Sequence, residues 1–189
     1  VATEAPVATR VAGTLRRWGW ILAHRHVASA MLVGIAVMTA SDTVLIVYGA
    51  FLESTFGLSL AALGLASIVV GLAEAVAEFG SAGLVDRIGK RRSVAIGLVL
   101  LGLSFILLPR LTGSLVSTLA GITLMIASFE FALVSFLPLV SELVPEQRAD
   151  VLSINVAVLS LAHMLGAALG GWLWQFRSID VNTGVATVL

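Results

Sequence analysis

Five long apolar stretches, separated by short polar connections, organise the chain. They run approximately over residues 27–52, 58–80, 93–109, 114–143 and 151–176. A helix needs about 20 residues to cross a bilayer, and the third stretch lies at the lower end of that range. Lipid cannot satisfy an open backbone, so each stretch is predicted to be a continuous transmembrane helix. The connections hold residues that interrupt helices: Gly57, Gly89, the 109–113 stretch, Pro145 and the 178–180 stretch. Pro138, inside the fourth stretch, predicts a kink whose freed carbonyl is covered by neighbouring helices. The closing stretch 181–189 is too short to cross and reads as the start of a sixth span, so the chain is expected to be a piece of a longer protein. Residues 1–26 carry Arg10, Arg16, Arg17, His24, Arg25 and His26 and read as a basic linker. The apolar run that follows is too long for a secretory signal.

Composition agrees with this picture and narrows it. Of the 189 residues 59% are hydrophobic and 12% charged, against about a quarter charged in a soluble domain. The fold class expected is all-α, a polytopic membrane protein with five complete spans and the beginning of another. Eleven basic residues balance eleven acidic ones, which excludes a nucleic-acid partner of the basic-patch kind. With no cysteine there is no disulfide framework and no thiolate ligand or nucleophile. No metal or other cofactor is expected.

The basic residues are unevenly placed. Arg10, Arg16, Arg17, Arg25, Arg87, Lys90, Arg91, Arg92 and Arg148 flank the spans on one side; Arg110 and Arg177 flank them on the other. Positive charge stays in the cytoplasm, so the chain is expected to start there and its first span to run outward.

Asp42, Glu74, Glu130 and His163 lie within the spans, away from their ends. An acid at the centre of a span costs about 2.5–3.5 kcal/mol on insertion scales, so these side chains are expected to face the bundle interior or a water-filled cavity. Gly64, Ser67, Gly71, Glu74 and Glu78 fall on one helical stripe, with Glu78 toward the charged connection. His163 shares a face with Gly166, Ala167 and Gly170, and small residues at this spacing let helices approach closely. Two readings stay open for each interior residue: a proton or substrate site, or a packed hydrogen-bonding group.

The second connection reads Ala82-Gly83-Leu84-Val85-Asp86-Arg87-Ile88-Gly89-Lys90-Arg91-Arg92. It resembles the signature loop of the major facilitator superfamily, departing from it at Ala82, where that pattern has glycine. Pro145-Glu146-Gln147-Arg148-Ala149 resembles the link between the fourth and fifth helices of a superfamily half. Gly166-Ala167-Ala168-Leu169-Gly170-Gly171 resembles the fifth-helix stretch, with Ala167 where the family's antiporters carry proline. The resemblance implies two six-helix halves built of inverted repeats, and the basic leader with Trp18 and Trp20 suits the C-terminal half. It also implies that Asp86, Arg87, Gly89, Lys90, Arg91 and Arg148 form a conformational switch. In that switch Asp86 would meet the start of the fifth helix, whose free N–H groups favour negative charge.

The resemblance implies secondary transport of a small solute by alternating access, with proton coupling through Asp42, Glu130, His163 or Glu74 as an option. The partners implied are the solute, the bilayer and a second half of the same carrier, in the plasma (inner) membrane. The alternative is a scaffold or sensor that keeps the fold without transporting. No zinc-protease, serine-hydrolase or nucleotide-binding motif is present, so no enzymatic activity is expected.

Overall fold

Inside a bilayer, apolar surface does not drive helices together, because lipid tails are as apolar as leucine. Association rests on close packing of small residues and on polar contacts between helices. A computed structural model of the chain describes residues 7–176 and 178–189, with side chains described from Gly13 onward; residues 1–6 and Arg177, one of the two basic residues assigned to the outer side, lie outside the described residues. The elements are α1 (Val7–Leu22), α2 (Arg25–Leu45), α3 (Tyr48–Phe56), α4 (Leu60–Ile88), α5 (Lys90–Leu107), α6 (Leu115–Ser141), α7 (Arg148–Leu173) and α8 (Ile179–Val188). All are helical, and five stretches are long and apolar enough to span a membrane.

Three helix pairs dominate the packing: α5 with α6, α2 with α7, and α4 with α6. Two of these pairs, α5 with α6 and α2 with α7, have glycines at their closest approach. A β-carbon on Gly97 of α5 would lie 2.8 Å from the backbone of Ala132 on α6. Around these contacts sit two buried clusters. One joins Val44, Phe51, Leu101, Phe105, Met125 and Phe129; the other joins Ile21, Val27, Met31, Phe136, Val140 and Val151 at the end where α1 lies. The outward faces of α4 and α7 remain exposed, with Leu72, Val76 and Phe79 on the first and Val156, Leu161 and Met164 on the second.

Helix ends follow local chemistry. Ser114 and Ser117 form a reciprocal capping box at the start of α6. Gly57 ends α3 with φ +63°, and Gly89 joins α4 to α5 with φ +92°, a backbone that L side chains rarely adopt. The charged 86–92 segment is therefore two helix ends meeting at one glycine. It does not form an extended loop, because helix persists beyond the apolar span once water can reach its side chains. Pro138 lies in the last turn of α6, which continues to Ser141.

Two features depart from the expected elements. The leader contains the helix α1, which packs on α2 and α7 and buries Ile21 completely. The first span is interrupted at Ile46–Val47, where the amide of Val47 bonds to the carbonyl of Val44, one residue short of the α-helical partner. Thr43, Val44, Ile46 and Val47 are β-branched and lose side-chain freedom in a helix. The carbonyl of Thr43 is taken instead by the side-chain amide of Asn182, at 2.7 Å.

Candidate functional site

The seam between α2 and α7 is built from two matching rows. On α7, Ala162, Gly166 and Gly170 repeat every four residues and present almost no side chain. Thr39, Asp42 and Thr43 of α2, with Ile46 just past its end, occupy the facing row. A β-carbon on Gly166 would sit 2.6 Å from Asp42 Cβ and 2.8 Å from the Thr39 carbonyl; one on Gly170 would sit 2.6 Å from the Thr43 carbonyl. The hydroxyl of Thr39 donates to the Ala162 carbonyl at 3.2 Å. Gly171, by contrast, has open space at its Cβ position and takes no part in this packing.

That close approach brings two interior polar residues together. His163 Nδ1 lies 2.8 Å from Asp42 Oδ2. The Asp42 side chain is 9% exposed and that of His163 67%, so the carboxylate sits inside the seam while the imidazole opens outward. The two residues are 121 apart in the chain, and helix packing alone pairs them.

Glu130, buried on α6, and Glu74, exposed on α4, both line a separate cavity of about 270 Å³ together with Tyr48, Ser67, Ile126 and Phe129. The Tyr48 and Ser67 hydroxyls hydrogen-bond at 3.0 Å. The stripe on α4 thus divides in function: Ser67, Gly71 and Glu74 face this cavity, and no helix packs closely against Gly64 or Gly71. Leu45, three residues beyond Asp42, also lines the cavity, so the Asp42–His163 pair and the Glu74–Glu130 cavity share the same end of α2.

A family model described as Major Facilitator Superfamily matches residues 30–188. The chain belongs to the major facilitator superfamily. No curated protein and no solved structure gives a significant match. Members of this superfamily carry small molecules across membranes, and the five long apolar helices make the chain an integral membrane protein of that kind.

The superfamily's signature segment takes a definite form here. Lys90 Nζ is paired with Glu142 at the end of α6, and Arg148, the first residue of α7, also acts on Glu142. These contacts hold the Glu142 carboxyl below its ordinary range, chiefly through the hydrogen bond from Lys90. Asp86 is exposed, beside Lys90, Arg91 and Glu142 around an open recess, and among the described residues it has no hydrogen-bond or ion-pair partner. The start of α7 is approached instead by Arg17 of α1, whose guanidinium lies 3.8 Å from Asp150. Arg87, Arg91 and Arg92 are exposed, and Gly89 supplies the positive φ of the turn.

Two residues enter that were not expected from the sequence. Glu142 falls at the very end of the fourth apolar stretch and caps α6, where an acid attracts no notice. Asn182 is fully buried, donating to the carbonyls of Thr43 and Gly170. An asparagine in the apolar closing stretch was the available signal.

Proposed function

We propose that the chain forms most of one six-helix half of a secondary active transporter, five complete spans and the start of a sixth, moving a small solute by alternating access coupled to protons carried by Asp42 and His163. The observation that carries this reading is the 2.8 Å contact between a buried carboxylate and an exposed imidazole across the closest helix seam. With Nδ1–H donated to Asp42, the Nε2 atom of His163 is free on the open side to accept a proton. Gain or loss of a proton changes the attraction that closes α2 on α7, and a shift in that attraction biases one of two bundle packings. The exposed faces of α4 and α7 are where a second half docks. The bias of basic residues supports a cytoplasmic position for the Arg87–Arg92 end, and the membrane in this reading is a plasma (inner) membrane. Residues 1–26 then serve as a cytoplasmic linker, whose helix α1 packs on α2 and α7, and the Lys90–Glu142–Arg148 cluster acts as a conformational latch beside Asp86.

The test is solute-dependent proton flux in proteoliposomes of the full-length protein, read with trapped pyranine across a panel of amines, sugars, amino acids and carboxylates. At least one solute should drive flux, and Asp42→Asn should abolish uphill movement while counterflow exchange persists. Flux that survives in Asp42→Asn would remove the proton role, and no flux for any solute would favour a non-transporting scaffold.

A further inference from the structure

Glu130 is 9% exposed, and among the described residues it has no hydrogen-bond or ion-pair partner. It lines the cavity between the α2–α3 break, α4 and α6. A buried carboxylate without a partner is costly in low dielectric surroundings unless something positive meets it. Among the described residues no Lys, Arg or His lines the cavity. Glu74, exposed on α4, also lines it, and Glu74 and Glu78 both act on Glu130 through space.

The remaining walls discriminate between cations. A bare metal ion such as calcium takes about six to eight oxygen ligands at about 2.3–2.6 Å, whereas among the described side chains this cavity adds the mutually bonded Tyr48 and Ser67 hydroxyls to its two carboxylates. At about 270 Å³ it approaches the roughly 300 Å³ lower bound of small-ligand pockets. Ile126 and Phe129 supply apolar walls, and aromatic faces such as those of Phe129 and Tyr48 attract cations.

We infer that the cavity bounded by Glu130, Glu74, Tyr48 and Phe129 is a binding site for an organic ammonium ion with an apolar body. The ammonium sits between the two carboxylates, and the apolar body lies against Ile126 and Phe129. The inference rests on the transport reading only in taking this amine as the cargo; the site itself is tested by binding.

The probe is tritiated phenethylamine, bound to the full-length protein in lipid nanodiscs and read by scintillation proximity. Saturable binding is expected, displaced by unlabelled phenethylamine but not by the uncharged 2-phenylethanol or by sodium at equal concentration. Glu130→Gln should weaken binding at least about tenfold, a loss of roughly 1.4 kcal/mol, and Glu53→Gln on α3 should leave it unchanged. A second readout needs no variant: bound amine should protect Glu130 from modification by dicyclohexylcarbodiimide, followed by mass spectrometry. No saturable binding, equal displacement by 2-phenylethanol or sodium, undiminished binding in Glu130→Gln, or no protection would each overturn the site. Amine binding without any solute-driven flux would remove the transport reading and keep the site. Flux with other solutes and no amine binding would do the reverse.

Discussion

The side-chain amide of Asn182 donates to the carbonyl of Thr43 at 2.7 Å and to that of Gly170 at 3.1 Å, tying α8 to α2 and α7 at once. Thr43 is where the first span breaks, so this amide replaces a bond that the helix itself does not make. Polar contacts of this kind are worth about 1–2 kcal/mol in model membrane helices. Asn182→Leu is expected to lower stability by about that amount, measured by reversible SDS unfolding in micelles. An unchanged unfolding midpoint would show that the Thr43 carbonyl finds another donor.

Gly166 and Gly171 are five residues apart on α7 and should respond in opposite ways. A side chain at Gly166 collides with Asp42 and the Thr39 backbone; Gly166→Val is expected to cost about 1–3 kcal/mol by overpacking and to part Asp42 from His163. Gly171 faces open space, so Gly171→Ala should stay within about 0.5 kcal/mol of the parent. The same unfolding assay compares the two. Equal losses would mean that the seam is not the site of closest approach.

Asp42 and His163 should behave as one unit. Asp42→Asn and His163→Gln are each expected to reduce proton-coupled uphill transport, and the double variant should be little worse than the more severe single one. Groups that share one hydrogen bond show coupling energies of about 0.5–3 kcal/mol in such cycles. Strictly additive losses in the pyranine assay would separate the two residues.

Glu142 offers a pH test outside the spans. Its carboxyl is held below the ordinary value of 4.5, first by the hydrogen bond from Lys90 and then by the charges of Lys90 and Arg148. A group whose folded pKa is depressed contributes stability above its unfolded value and loses it as pH falls through the folded one. The contribution therefore fades below about pH 4.5, and solvent screening keeps it small. Lys90→Met should return the Glu142 midpoint toward 4.5, followed by carbon NMR of labelled glutamate. A midpoint that stays low would assign the effect to Arg148.

The spans, their order and their breakers were legible along the chain because bilayer thickness acts on contiguous sequence. Gly57 and Gly89 marked turns for the same local reason: each holds a positive φ. The interruption at Ile46–Val47 was not legible, since an apolar run looks the same whether or not its helix is broken. The helical leader α1 was hidden by its basic residues, which suit a linker and a helix at the membrane surface equally well.

Sequence by itself determined that this is a helical membrane protein of the major facilitator superfamily, that Asp42, Glu74, Glu130 and His163 lie inside spans, and that basic residues gather at one end. Those properties depend on residue type and on neighbours within a few turns. Only the tertiary structure decided that Asp42 meets His163, that Glu74 and Glu130 share one cavity, that Lys90 pairs with Glu142, and that Asn182 serves the broken span. Each of these joins helices far apart in the chain, and the way those helices cross is a property of the packed bundle.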